Sequence, residues 1–411
     1  MKFNKSMSLL EKTSELIPVS SQVFSKSPRY FPIGASPLFI ERGKGSHVWD
    51  VDDNEFIDYM CALGPITLGY HYPATDRAIK EQLSKGITFS QPSPLEYELA
   101  RAVHDVIPCA DMVRFLKTGS EACQAAVRVA RAFTGRDHVA FRGYHGWHEW
   151  YAVQSDRPKG IPKTYSQYIH QFTYNDIDSL EEIFTHYPSD IACVIMEPMI
   201  YEAPVTGFLE EVQGLCEKYG ALLIFDETVT GFRWSLGGAQ EYFGVTPDLA
   251  TFGKGMGNGM PIGAVCGRSD VMKEFEEVFV SSTFGGECLS LAASISTIIE
   301  MENNDTIGVC WKKGAKLLKG LEKLGIGYVG YPCRPILKPP IDNTIEANSL
   351  LMQEMIKRGV LVNNIFMMNI CYSLTNADID KTIIAFADSL EAIKAGAKLK
   401  GKVVSPAFKR L

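Results

Sequence analysis

Leu222-Leu223-Ile224-Phe225-Asp226-Glu227 and Leu249-Ala250-Thr251-Phe252-Gly253-Lys254-Gly255 are two apolar runs that end on chemistry. Each is short and bulky and lacks a two-residue alternation, the pattern of a strand buried on both faces. The first run finishes on an acid and the second on a lysine flanked by glycine. A lone lysine after a strand is ordinarily a solvated loop residue, and a lone aspartate there is ordinarily a turn or cap. Two buried strands that finish on complementary charges make a site instead.

The same strand character recurs in Val113-Arg114-Phe115, Val139-Ala140-Phe141 and the run from Ile191 to Met196, with helical segments between them. One helix is expected from Phe208, with Leu209, Val212, Leu215, Cys216 and Tyr219 on one stripe and Gly220 to end it. This alternation predicts an α/β fold, a mostly parallel sheet covered by helices, whose functional site lies at the C-terminal ends of the strands. Before it, residues 38–60 read as a β-meander: Leu38-Phe39-Ile40, Val48-Trp49 and Phe56-Ile57 are separated by the turn signals Gly43-Lys44-Gly45 and Asp52-Asp53-Asn54. After about residue 300 the pattern turns α+β. Ile379, Ile383, Phe386, Leu390 and Ile393 mark one face of a closing helix, and the Pro-rich stretch from Tyr331 to Pro340 reads as a loop. The predicted organisation is an N-terminal segment 1–70 that joins a small domain, a large domain 71–300, and a C-terminal α+β segment 301–411.

The 411 residues are 46% hydrophobic, enough for a large core in two or three domains. The net charge of −7 and the lack of a basic block argue against nucleic acid and anionic membrane as partners. No apolar run reaches the ~18 residues of a spanning helix. Met1-Lys2-Phe3-Asn4-Lys5-Ser6 is not followed by a signal-peptide core. The ten cysteines include no C-x-x-C, and several lie inside apolar runs, as Cys193 does. They read as reduced core residues of a cytoplasmic protein rather than as disulfides or a zinc site.

A lysine and an aspartate at such strand ends suit pyridoxal phosphate: Lys254 offers an amine to its aldehyde, and Asp226 holds its ring nitrogen protonated. Other strand ends supply further pieces. Thr118-Gly119-Ser120-Glu121-Ala122 opens a helix running to about Phe133 and offers free amides and a hydroxyl to a phosphate; the plainer reading is a Ser cap. In Tyr144-His145-Gly146-Trp147-His148-Glu149-Trp150, Tyr144 is placed to stack on a flat ring. His145 and His148, without a third ligand, do not make a metal site. Glu197, before Pro198, positions either a cofactor-bearing loop or the substrate. Ser282-Thr283-Phe284-Gly285-Gly286-Glu287 suits a second phosphate contact. Gly255-Met256-Gly257-Asn258-Gly259 lacks the spacing of a dinucleotide fingerprint.

With Asp226-Glu227-Thr228-Val229-Thr230-Gly231-Phe232-Arg233 and Phe252-Gly253-Lys254-Gly255, the chain resembles class III pyridoxal-phosphate aminotransferases of fold type I, and most closely their glutamate-1-semialdehyde 2,1-aminomutase branch. Pro37 to Gly45, Trp49-Asp50, Asp58-Tyr59, Leu68-Gly69-Tyr70-His71, Gly119 to Ala122, the Tyr-His-Gly step, Cys371-Tyr372-Ser373 and Asp378-Ile379 carry the likeness across about residues 28–395. The resemblance implies that residues 71–300 bind the cofactor. It makes Lys254 and Asp226 catalytic, places Tyr144 on the ring, and puts Gly119 and Ser120 on the phosphate. It sends Thr283 to the phosphate of a neighbouring subunit, so the expected unit is a homodimer with shared sites. Arg29 matches an arginine that holds a substrate carboxylate, and Trp147 is a further substrate-contact candidate. The chain departs from the aminomutase pattern in lacking the long small-residue gate after Tyr-His-Gly. That favours a transaminase passing an amino group from an amino acid, with glutamate as the expected donor, to a ketone or aldehyde. The Trp147-to-Trp150 composition points to a hydroxylated acceptor such as a sugar. The alternatives are the aminomutase, a β-amino-acid aminotransferase and an inert dimeric binding protein.

Overall fold

The computed structural model describes residues 1–405; residues 406–411 of the expected C-terminal segment lie outside the described residues. Two compact units emerge, Pro73–Ile307 and Met1–Tyr72 with residues 308–405.

The unit Pro73–Ile307 is built on a seven-stranded sheet: β1 (Met112–Leu116), β2 (His138–Arg142), β3 (Ile169–Gln171), β4 (Ile191–Met196), β5 (Leu222–Asp226), β6 (Leu249–Phe252) and β7 (Gly263–Gly267). Their spatial order is β1-β7-β6-β5-β4-β2-β3. From β6 to β3 every pairing is parallel. The exception is β7, which runs antiparallel to both β1 and β6.

The sequence explains why the parallel part is a central layer. All residues of β4, β5 and β6 are buried. Successive side chains serve opposite faces. Leu222 and Ile224 pack with Cys193, Ile195 and the helix α1 (Gly119–Thr134), whereas Leu223 and Phe225 pack with Val194, Met196 and the helix α2 (Phe208–Tyr219). Truncating such a fully buried phenylalanine costs about 3–5 kcal/mol. Helix α2 shows the expected stripe, with Leu209, Val212 and Cys216 buried, and it ends at Gly220 in the left-handed region at φ +64°.

Two strands of this sheet carry no signal in the sequence reading. β3 is Ile-His-Gln on an edge, with one apolar residue. β7 is Gly-Ala-Val-Cys-Gly, a composition that strand propensity disfavours. Its glycines have a packing reason: a Cβ on Gly263 would come within 2.4 Å of the Thr118 carbonyl oxygen, and one on Gly267 within 2.3 Å of that of Asp248. At both of its ends β7 lies where only glycine fits.

The other unit carries a four-stranded sheet. Ile40–Lys44, His47–Asp50 and Glu55–Asp58 form the antiparallel meander, and Val360–Leu361 joins in parallel. The first strand begins at Ile40 rather than Leu38. The Pro-rich stretch is not all loop: Ile336–Lys338 pairs with Gly327–Val329. The closing helix spans Asn376–Lys394 and buries Ile379, Phe386 and Leu390. All ten cysteines are free and buried. Among the described residues, no helix is long and apolar enough to cross a membrane.

Candidate active site

Strand register sets the centre of the site. In the β5–β6 ladder Asp226 stands opposite Thr251, and the Glu227 amide donates to the Thr251 carbonyl at 2.8 Å. Three residues after Thr251 the chain leaves the sheet at Lys254. This lysine is half-buried and holds φ +36°, a left-handed conformation that costs a non-glycine residue free energy and recurs at functional positions. Its positive charge acts on Asp226 and on Cys123.

Asp226 is enclosed by four donors. His145 Nδ1 lies 2.8 Å from Oδ2, and the Cys123 thiol donates to the same oxygen at 3.3 Å. The Thr228 amide and the Thr251 hydroxyl donate to Oδ1 at 3.0 and 3.2 Å. Burial works to raise this carboxyl, but the His145 hydrogen bond and charge, a hydrogen bond from Thr228 and the Lys254 charge bring it down to about 2. The group is therefore a permanent anion. His145 is held by stacking on Trp150, with ring centroids 5.9 Å apart, and by the edges of Phe141 and Tyr151. Its Nε2 is buried without a hydrogen-bond partner.

Helix α1 begins beside this centre. Thr118 caps it and forms a capping box with Glu121, so the cap is Thr118 and not Ser120. The box occupies the amides of Lys117, Thr118 and Glu121. Gly119 and Ser120 fill the first two helical positions, where amides have no intrahelical acceptor. A Cβ on Gly119 would meet Thr228 Cγ2 at 2.8 Å and Oγ1 at 2.9 Å, and one on Gly253 would lie 3.7 Å from the Gly119 nitrogen. The helix N-terminus, Thr228 and the segment carrying Lys254 thus converge. Thr228 Oγ1 is buried without a hydrogen-bond partner.

Tyr144 follows β2, half-buried, edge-on to Tyr151 at 5.6 Å. Its amide donates to Glu197 Oε1 at 2.7 Å. Glu197, just after β4, is thereby tied to the loop that carries Tyr144. Trp147 is 73% exposed, whereas Trp150 and Tyr151 are buried in the core. His148 is half-buried, and burial lowers its pKa; it does not join His145 on Asp226. Cys123, His145 and Asp226 bring their ligand-type atoms within 4.8 Å of one another, all buried, but here they are joined by hydrogen bonds.

Thr283 is exposed on the segment before the helix α3 (Cys288–Asn303). Glu287 caps that helix and pairs with Lys117 at 3.1 Å, which ties the segment to the start of α1. Arg29 lies in the other unit, exposed, in the short 3-10 turn Pro28–Tyr30. The sequence reading did not single out Cys123, Thr228 or Thr251, and it considered His145 only as a metal ligand. Their shared role depends on which atoms the strand register brings to Asp226.

These residues fit pyridoxal phosphate. An amine at a strand end, a buried anion, two amides free at a helix N-terminus and the orphaned Thr228 hydroxyl match its aldehyde, its cationic ring nitrogen and its phosphate.

Comparison with known proteins supports the same reading. The family model for class-III aminotransferases matches residues 30–331. The chain is 37% identical to a 3-aminobutyryl-CoA aminotransferase of Cloacimonas acidaminovorans (strain Evry), covering 96% of this chain and 98% of that protein. It is 39% identical to a glutamate-1-semialdehyde 2,1-aminomutase of Syntrophomonas wolfei, over 72% of this chain and 73% of the relative. Among solved structures, the PLP internal aldimine form of the FumI protein of Sphingopyxis sp. MTA144 superposes with a TM-score of 0.92 at 28% identity, over 98% of this chain and 99% of that one.

Proposed function

The chain belongs to the class-III aminotransferase family and uses pyridoxal phosphate, and from that premise we propose that it transaminates in two separate stages, releasing one carbonyl product before admitting the next. The donor is an α-amino acid, glutamate first. The acceptor proposed first is a β-keto acyl compound, because the relative that matches along almost the whole chain is named for a 3-amino acyl thioester. The cytoplasm is the proposed compartment, since the ten cysteines are free and buried.

When bound, the cofactor stores the amino group between the stages and withdraws electrons from the substrate carbon. The protein supplies the rest. Lys254 Nζ takes a proton from the substrate carbon and returns it on the other side of the transfer. Asp226 stays ionised and keeps the proton on the ring nitrogen. The Gly119 and Ser120 amides hold the phosphate, and Tyr144 covers the ring from a loop that Glu197 fixes. Trp147 and Arg29 are the proposed substrate contacts.

The observation that carries the two-stage reading is the anchoring of the segment after Tyr144-His145-Gly146. Trp150 and Tyr151 are buried in the sheet core, so this segment is pinned rather than free to act as a cover. The same burial leaves Trp147 as the exposed tryptophan there and weakens the case for a sugar acceptor. An aminomutase must retain its intermediate while nitrogen moves between carbons; a transaminase must release it. Stoichiometric enzyme given glutamate alone should release about one 2-oxo acid per subunit and stop, resuming when an acceptor is added. Labelled glutamate-1-semialdehyde supplied alone should be converted slowly or not at all. Rapid, complete conversion to 5-aminolevulinate without a co-substrate would overturn the proposal in favour of the aminomutase.

We also propose a homodimer with shared sites. Ile87, Phe89, Tyr97 and Phe284 expose large apolar side chains, Phe284 at 58%, on segments joined by the Cys288 amide donating to the Ile87 carbonyl at 2.8 Å. Exposed apolar side chains of this size suit an interaction surface, and Thr283 precedes Phe284 in the chain. Subunits of Lys254→Ala and Thr283→Ala, each inactive alone, should regain part of the activity when exchanged, because one site of the mixed dimer then carries neither lesion. Demonstrated exchange without recovery would show that each site is built from one chain.

A further inference from the structure

Cys123 is the fifth residue of α1 and is 1% exposed. It lies on the face that packs against the sheet, where Ala122, Ala125 and Ala126 let the helix approach closely. Its thiol donates to Asp226 Oδ2 at 3.3 Å and lies 3.4 Å from the Thr251 hydroxyl, which donates to the other Asp226 oxygen. One side chain thus touches the acid of β5 and the strand leading to Lys254, from the helix whose first amides face the proposed phosphate position. Burial and the neighbouring Asp226 anion hold the thiol protonated, so it can only donate to that anion.

We infer that Cys123 is a positioning residue that fixes the Asp226 carboxylate and lowers its basicity, which keeps the shared proton on the ring nitrogen of the cofactor. This rests on the aminotransferase reading and adds a residue to it. An anion that accepts fewer hydrogen bonds is more basic. Without the thiol, Asp226 draws that proton toward itself and the ring loses positive charge. A less cationic ring raises the pKa of the nitrogen linked to it at Lys254 Nζ. A hydroxyl in place of the thiol restores donation, whereas a methyl group does not.

The test is a pH titration of the visible absorbance of holoenzyme, wild type against Cys123→Ala and Cys123→Ser, beside kcat, KM and melting temperature. In Cys123→Ala the titration midpoint should rise by about half a pH unit or more. Turnover should fall about tenfold, with KM for the donor little changed. Cys123→Ser should bring both back toward wild type. In an Asp226→Asn background, Cys123→Ala should not move the midpoint further, because the two residues act through one another. An unmoved midpoint in Cys123→Ala, an equal shift in the Ala and Ser variants, or an additive effect with Asp226→Asn would overturn the inference. Should Cys123→Ala fail to fold, Cys123→Val, which fills the buried position without a donor, takes its place in both backgrounds, with the same midpoint shift expected and the same outcomes overturning the inference. A wild-type protein that takes up no pyridoxal phosphate would instead overturn the aminotransferase reading and this inference with it.

Discussion

Lys254→Ala should lose turnover by ~10³-fold or more while the protein still folds and binds cofactor. Two functions leave with one side chain: covalent attachment, and proton transfer at the substrate carbon. Positioned acid–base catalysis alone contributes ~10²–10⁴-fold. Folding should survive because Lys254 lies in the short 3-10 turn Lys254–Gly257 beyond the sheet, half-buried, and its left-handed φ of +36° is strain that any L residue there would bear. The measurements are the steady-state rate, cofactor retention on a desalting column, and borohydride reduction followed by peptide mapping. Borohydride should fix the cofactor to the wild-type peptide carrying Lys254 and leave Lys254→Ala unlabelled. Label on another lysine would remove Lys254 from the role.

Asp226→Ala should weaken cofactor retention and lower turnover by roughly 10²-fold or more, since proton removal from substrate needs a cationic ring nitrogen. Asp226→Asn keeps the shape and loses the charge, so it separates electrostatics from packing. The pH behaviour has a definite sign. The folded carboxyl is depressed to about 2 from 3.8, so the stability it contributes is present above the unfolded value and is lost as pH falls through the folded one. Between pH 5 and 9 the wild type should hold its cofactor without any transition assignable to Asp226. Near-normal turnover in Asp226→Asn would contradict the role.

The parallel core was readable because Ile191 to Met196 and Leu222 to Phe225 are buried on both faces and so are apolar at every position. Lys254 and Asp226 were readable for the same reason: a charged residue that interrupts such a run marks where the strand leaves the core. β3 was hidden because an edge strand needs little apolar surface. β7 was hidden because close backbone packing selects glycine, which the eye reads as a turn. The Asp226 shell was hidden for a different reason. Cys123, His145 and Thr251 meet through strand register and a helix face, and no local pattern gives either. Even the cap of α1 moved: a serine at a helix start looks like a cap, but Thr118 with Glu121 makes the box and leaves Ser120 inside the first turn.

The antiparallel strand β7 bears on how the chain assembles as it is made. Among the described residues β1 pairs with no strand except β7, so residues near 115 must wait for residues near 264 before their ladder forms. On a ribosome, β2 through β6 can zip together in parallel while β1 stays an unfilled edge. That edge is a template for aggregation until the glycine-bounded strand slides in. A chain stopped just short of Gly263 therefore lacks more than one strand: it holds Lys254 and Asp226 and leaves both β1 and β6 open. Completion of the sheet is therefore a late event, set by a five-residue segment bounded by two glycines.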